Sequence, residues 1–288
     1  MKTILILGAR GNLGVQLVKI FKNNNYEVIA WDRKEIDITD KELITKKIND
    51  IKPGIIINAA AYNAVDKCEE DEKEFELAYK INGEAVGFLV EAALKVNAIL
   101  VHYSTDYVFA GDKQEGYSED DKPSPINKYG ETKLAGEKEI ISSSGKGLKW
   151  YLIRTSKLFG PPGKSPAAKP SFFDLMVNLA VNRRELEVVD AEISSFTYTS
   201  DLAHATLELI EERYGYGIYH LINEGACTWY EAACELFKML EKDIKIKPVS
   251  PEHFPRPAKR PLYSILLNTK FKKLRNWREA LKEYLNIR

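Results

Sequence analysis

Tyr129 and Lys133 place a phenol and an ammonium four residues apart within Tyr-Gly-Glu-Thr-Lys, and a helix beginning near Asn127 would carry both on one face. A phenol with the ordinary pKa of about 10 transfers protons poorly at neutral pH, and a nearby cation stabilises the phenolate left behind. The pair therefore reads as a proton donor and its activating cation. The same spacing also occurs on helices as an aromatic edge beside a solvated lysine, so its surroundings have to decide. Upstream, the apolar run 99–101 leads through His102-Tyr103-Ser104 into Thr105-Asp106. That puts the Thr105 hydroxyl at the carboxyl end of a strand, where ligands of open α/β sheets gather. Thr105 is expected to hydrogen-bond the substrate oxygen that Tyr129 protonates.

A second group lies near the N-terminus. Gly8-Ala9-Arg10-Gly11-Asn12-Leu13-Gly14 follows an apolar run directly and opens an amphipathic one, giving three glycines in a strand-turn-helix context. One makes the tight turn, one admits a pyrophosphate close to the backbone, and one lets the helix pack on the sheet, while the helix N-terminus supplies oriented N–H groups. Asp32, at the end of the next apolar run, is placed to accept hydrogen bonds from the adenosine ribose hydroxyls. Asp32 alone favours NAD. Arg10, Arg33 and Lys34 near the same ribose would offset its repulsion of a 2′-phosphate, so NAD(H) and NADP(H) both stay open as cofactors.

The elements that position these groups follow from hydrophobic pattern. Short apolar runs alternate with longer amphipathic ones over 3–7, 13–22, 27–31, 41–50, 55–58, 74–96 and 99–103, a βαβαβαβ order. Ile4-Leu5-Ile6-Leu7 and Ile55-Ile56-Ile57 are apolar without alternation, as strands covered on both faces of a parallel sheet are. The predicted class is α/β, a doubly wound parallel Rossmann-type sheet with a small C-terminal substrate lobe. Residues 1–155 form the dinucleotide-binding part and 156–288 mainly the lobe, discontinuous and packed on the first. Within the lobe we predict a strand over 148–154 leading in, helices over 172–182, 201–214, 229–240 and 278–285, and a strand over 186–189. Pro and Gly exclude regular structure from 160–166. The acidic run Glu69, Glu70, Asp71, Glu72, Glu74 reads as the exposed start of the long helix, where negative charge suits the N-terminus.

Composition narrows the function classes. The 288 residues carry 42 Lys+Arg and 42 Asp+Glu, so no field of one sign draws the chain to nucleic acid or an anionic membrane. A small-molecule ligand is the expected partner, with a homodimer as a further expectation. Cys68, Cys227 and Cys234 lack metal-ligand spacing and cannot all pair. They suit the reducing cytoplasm, and the four scattered histidines suggest structural roles and no catalytic metal. The N-terminus has no signal-peptide pattern, and no apolar run reaches the length of a membrane span.

Several stretches together resemble the dTDP-4-dehydrorhamnose reductase family of extended short-chain dehydrogenases. They are Asn58-Ala59-Ala60-Ala61-Tyr62 with Val65-Asp66-Lys67, Ser104-Thr105-Asp106-Tyr107-Val108-Phe109, Tyr129-Gly130-Glu131-Thr132-Lys133-Leu134-Ala135-Gly136-Glu137, Arg154-Thr155-Ser156, Thr228-Trp229-Tyr230 and Pro257-Ala258-Lys259-Arg260-Pro261. The resemblance runs nearly the whole length of the chain. It implies that Thr105, Tyr129 and Lys133 form the active site. It also implies that Gly11, Asn12, Leu13, Asp37, Ile38, Ala60, Ala61 and Tyr62 touch the dinucleotide, and that the reaction reduces a 4-keto group on a dTDP-6-deoxyhexose. Hydride would pass to the sugar C4 while Lys133 holds the nicotinamide ribose and lowers the phenol pKa.

The chain departs from the family twice. Lys157 stands where the family usually has a tryptophan, so a charge replaces a flat apolar wall. The family's Asp-Gln-x-Gly-x-Pro-Thr loop becomes Asp190-Ala191-Glu192-Ile193-Ser194-Ser195-Phe196-Thr197, without its Gly and Pro. The residues expected beside the substrate are Thr105, Asp106, Lys157 and Arg260. Arg260 and its neighbour Arg256 are held extended by prolines, and each presents a fork suited to a diphosphate. The insertion 161–170 reads as a solvated loop in preference to a phosphate-contacting lid. A sugar-nucleotide 4,6-dehydratase would need a further carboxylate where Tyr107 stands. A non-catalytic NADP-binding regulatory protein, resembling the β subunit of methionine adenosyltransferase, is the alternative from another class.

Overall fold

A computed structural model describes residues 3–166 and 168–286. The first half alternates strands and helices: β1 (Thr3–Leu7), α1 (Asn12–Asn23), β2 (Glu27–Trp31), α2 (Lys41–Ile51), β3 (Ile55–Asn58), α3 (Val65–Glu70), α4 (Glu72–Tyr79), α5 (Ala85–Val96), β4 (Ile99–Thr105), α6 (Lys128–Ile141) and β5 (Lys149–Thr155). The second half continues with β6 (Leu158–Phe159), α7 (Phe172–Leu179), β7 (Glu185–Val189), β8 (Ser194–Ser195), β9 (Thr197–Tyr198), α8 (Thr199–Glu211) and β10 (Gly217–His220). It ends with β11 (Asn223–Glu224), β12 (Ala226–Cys227), α9 (Trp229–Met239), β13 (Lys245–Val249), β14 (Leu274–Asn276) and α10 (Trp277–Asn286).

Six strands make one parallel sheet in the order β10-β5-β4-β3-β1-β2. The strand order reverses between β1 and β3, and in such sheets the crevice beyond the carboxyl ends at this switch point takes the ligand. Alternate residues of each strand face opposite helical layers. Ile4 and Ile6 pack with Leu13, Leu17 and Leu202 on one side, and Leu5 and Leu7 pack with Ile44, Ile48 and Leu89 on the other. All these residues are buried, which is why the strands read as unbroken apolar runs.

The expected long helix over 74–96 is divided. The Asp71 carboxylate accepts the Lys73 N–H and starts α4, and residues 80–84 make a π-helical turn before α5. The acidic run is thus shared between the end of α3 and the first turn of α4. The division lies at residues 80–84, where the Asn82 side chain bonds the Tyr62 backbone and Asn82-Gly83 are weak helix formers. The boundary at 155 also needs correction, because α8 packs on α1 and β10 pairs with β5 in the main sheet. The physical cause is the open edge of β5, whose backbone groups a sixth strand completes. The remainder of the C-terminal part has its own core, in which Phe159, Phe173, Phe196, Tyr198, Trp277 and Tyr284 meet.

Candidate active site

Asn127 caps α6 by accepting the Gly130 N–H at 2.8 Å, and its own amide donates to the Lys259 carbonyl. This cap sets the start of the helix and hence the rotation of Tyr129 and Lys133, which point inward with 8% and 3% of their surface exposed. The Lys133 ammonium donates to the Tyr103 carbonyl on β4 at 2.7 Å, and burial lowers its pKa to about 8. Burial and then the charge of Asp106 push the Tyr129 phenol up, with the neighbouring Thr105 hydroxyl acting the other way. The ammonium is engaged by the main chain, and desolvation dominates at the phenol. The Tyr129 hydroxyl lies 3.4 Å from the Asn63 side-chain oxygen.

Thr105 stands at the end of β4, as expected, but its proton is directed elsewhere. The hydroxyl donates to Asp106 Oδ1 at 2.9 Å and accepts the Tyr107 N–H at 3.2 Å. Ser264, from the C-terminal segment, donates to the other Asp106 oxygen at 2.6 Å. Burial raises the Asp106 pKa to about 6 against these two hydrogen bonds and the charge of Lys157.

At the switch point, Gly8 has φ +70, and a Cβ there would stand 2.6 Å from the Ala60 nitrogen. A Cβ on Gly14 would stand 2.1 Å from the Gly8 carbonyl. Neither position accepts a side chain. A Cβ on Gly11 would meet only the Gly8 oxygen, at 3.4 Å, and the helix it caps has no side-chain cap and no acidic residue in its first turn. Open N–H groups, small residues and no competing carboxylate fit a pyrophosphate. Leu13 is buried under this turn. Opposite, Asn82 in the π-helical turn accepts the Tyr62 N–H at 2.9 Å and donates to the Tyr62 carbonyl at 3.0 Å, which fixes the segment carrying Ala60, Ala61 and Tyr62. The Tyr62 hydroxyl donates to Glu74. Asp32 ends β2. Beyond it Asp37, faced by Arg33, accepts from Thr39, and Ile38 is buried.

The 161–170 segment is an irregular loop with Pro162, Lys164, Pro166, Lys169 and Pro170 exposed, and it is anchored on the cofactor loop. Gly163 donates to the Asn12 side chain at 2.8 Å, Lys164 and Ser165 donate to the Arg10 carbonyl at 2.7 and 2.9 Å, and Asn12 donates to the Lys169 carbonyl at 2.9 Å. A Cβ on Gly163 would collide with Gly11 and Asn12 backbone atoms. Several of the loop's main-chain groups thus find partners on the cofactor loop while its exposed side chains stay in solvent. A cavity of about 490 Å³ lies beneath it, lined by Asn12, Pro162, Lys169, Asp174 and Tyr284 among others.

On the substrate side, Lys157 adopts φ +39 and lays its ammonium 3.8 Å from the Trp229 ring centroid and 5.0 Å from that of Phe196. Burial lowers its pKa to about 8. The apolar wall expected to be lost is thus supplied by Trp229, with the cation resting on it. The two arginines expected at a diphosphate are held by carboxylates of the chain, Arg260 by Asp66 at 2.8 Å and Arg256 by the buried Glu192. Glu192 also accepts from Trp229 Nε1 at 3.0 Å. Asn63, Asn82 and Ser264 carry no motif that marks them as site residues in the sequence. The Asn-Gly pair inside an otherwise helical run is the one local sign of the turn at 82.

The family model described as the RmlD substrate binding domain matches residues 1–288. A dTDP-4-dehydrorhamnose reductase of Aggregatibacter actinomycetemcomitans is 38% identical, over 100% of this chain and 99% of its own. The crystal structure of a dTDP-4-dehydrorhamnose reductase from Clostridium acetobutylicum superposes with a TM-score of 0.90 at 41% identity, covering 99% of each chain. That of a dTDP-4-dehydrorhamnose reductase from Bacillus anthracis in complex with NADP gives 0.92 at 36% identity, over 100% of this chain and 99% of its own.

Proposed function

The chain belongs to the RmlD substrate-binding-domain family, and from that premise we propose that it is an NAD(P)H-dependent reductase of the C4 keto group of a nucleotide-linked 6-deoxyhexose, dTDP-4-dehydrorhamnose. The observation that carries this reading is the convergence of Thr105, Tyr129 and Lys133 at the end of β4, in a chain matched from end to end by reductases of that substrate. Those residues would be idle in a purely regulatory protein, which is why the catalytic reading is preferred.

In this reading the N–H groups at Asn12 and Leu13 hold the dinucleotide pyrophosphate beside Gly11, whose own N–H closes the turn on the Gly8 carbonyl, with Gly8 and Gly14 shaping that turn. Asp32, Arg33, Asp37 and Ile38 line the adenosine end, and Ala60, Ala61 and Tyr62 form the opposite wall. When bound, the cofactor supplies the hydride. Tyr129 donates the proton to the developing alkoxide at C4, and Lys133 orients the nicotinamide ribose from its place on the Tyr103 carbonyl. Asp106 holds the Thr105 oxygen in the crevice, and Lys157 and Arg260 line the sugar-nucleotide side.

The residues of the C-terminal part that do not join the main sheet serve as the substrate lobe. Among the described residues no helix is long and apolar enough to cross a membrane. The test follows NADPH absorbance with dTDP-4-dehydrorhamnose. Turnover is expected, and tight cofactor binding without turnover of this or any other 4-keto nucleotide sugar would favour the regulatory reading instead.

A further inference from the structure

The choice between NADH and NADPH is made at the adenosine end of the site, and a discriminating residue there rests on the dinucleotide reading of the Gly8–Gly14 loop. Past β2 the chain turns through Asp32-Arg33-Lys34-Glu35, closed by the Glu35 N–H on the Asp32 carbonyl at 2.9 Å. The Glu35 side chain folds back over this turn. Its Oε2 accepts the Asp32 backbone N–H at 2.8 Å, and its Oε1 accepts from the Arg10 guanidinium at 2.8 Å. The Asp32 N–H, with Arg10 adding to it against partial desolvation, holds this carboxyl below its usual range, so it is an anion near neutrality.

These two donors are the kind a 2′-phosphate needs: a guanidinium from the glycine-rich loop and a main-chain N–H at the strand end that meets the ribose. We propose that Glu35 is the cofactor-discriminating residue, an internal anion standing in the place of the 2′-phosphate and disfavouring NADPH relative to NADH. Of the neighbouring cations, Arg33 and Lys34 are exposed on the same turn and attract carboxylate and phosphate alike. Arg33 faces Asp37, and Lys47 donates to the Glu35 carbonyl with its ammonium 5.0 Å from the Trp31 ring. Arg10 is the fork over which carboxylate and phosphate compete. The Arg10–Glu35 pair is half-exposed, so breaking it costs little by itself. The discrimination comes from the displaced carboxylate, which together with Asp32 puts two negative charges beside a dianion. An uncharged ribose hydroxyl meets no such repulsion.

Glu35→Gln retains an oxygen for the Asp32 N–H and removes the charge. Dissociation constants for NADPH and NADH are read from quenching of tryptophan fluorescence, and those for adenosine 2′,5′-bisphosphate and 5′-AMP from calorimetry. The NADPH-to-NADH ratio of dissociation constants is expected to fall about tenfold in Glu35→Gln, with the bisphosphate-to-AMP ratio following. Measured against Arg10→Ala, the Arg10→Ala/Glu35→Gln double variant is expected to show the same direction of change, because the carboxylate's repulsion is removed with or without the guanidinium. A fall of less than about threefold in Glu35→Gln, or no fall when the same substitution is made in Arg10→Ala, overturns the proposal. If the unaltered protein binds neither dinucleotide, the functional reading fails as well; if it binds both and the ratio does not move, only the role of Glu35 fails.

Discussion

The Thr105 hydroxyl donates to the Asp106 carboxylate across 2.9 Å, so the hydroxyl nearest the proposed proton donor is oriented by its sequence neighbour. Ser264 completes the arrangement from 158 residues away by donating to the other carboxylate oxygen.

This geometry has a pH signature. Burial raises the Asp106 pKa to about 6, above the value of about 3.9 in an unfolded chain. The folded state therefore holds this proton more tightly. As pH rises between about 4 and 6 the unfolded state loses it first, and Asp106 takes stability away across that window, in full above the folded pKa. Asp106→Asn is expected to remove this contribution, changing the slope of Tm against pH between pH 4 and 6 toward higher values. An unchanged slope in calorimetry would refute the buried carboxylate as its source.

Tyr129→Phe leaves the α6 packing intact and removes only the proton donor. Turnover is expected to fall by roughly 10² to 10⁴, while cofactor affinity, read by fluorescence titration, stays close to that of the parent. Turnover within a factor of about three of the parent would rule out the phenol as donor.

Arg154 and Glu137 are paired through two hydrogen bonds, 3.0 and 2.7 Å, with 1% and 0% side-chain exposure. Removing one partner leaves a buried charge uncompensated, which costs about 3–5 kcal/mol. Glu137→Ala should lose that much in urea unfolding, whereas a loss below about 1 kcal/mol would mean that Arg154 finds another partner or water. The pair ties α6 to β5, so turnover should fall with it through displaced Tyr129 and Lys133.

Asn12 holds the 161–170 loop by both its amide groups. Asn12→Ala removes two hydrogen bonds worth about 1 kcal/mol each, and trypsin cleavage after Lys164 is expected to accelerate by roughly tenfold or more. Equal cleavage rates in the two proteins would show that the loop does not depend on this anchor.

Sequence by itself determined the parts that depend on near neighbours. Gly8, Gly11 and Gly14 followed from the backbone of a strand-turn-helix, the buried strands from unalternated apolar runs, and the common face of Tyr129 and Lys133 from helical spacing. The Asn82-Gly83 pair that breaks the expected 74–96 helix is also local, yet the Tyr62 backbone groups that hold this turn lie 20 residues away. Tertiary structure alone decided the contacts whose partners are far apart in the chain. These include Ser264 on Asp106, Asn82 on Tyr62, the pairing of β10 with β5 and the docking of residues 161–170 on Asn12. They also include the fates of Lys157, Arg256 and Arg260, whose charges rest on rings or carboxylates that no local pattern identifies. The reason is physical. Local conformation is governed by sterics and hydrogen bonds within a few residues, whereas the direction of a hydroxyl proton or the availability of a guanidinium depends on which groups the packed fold brings within about 3 Å.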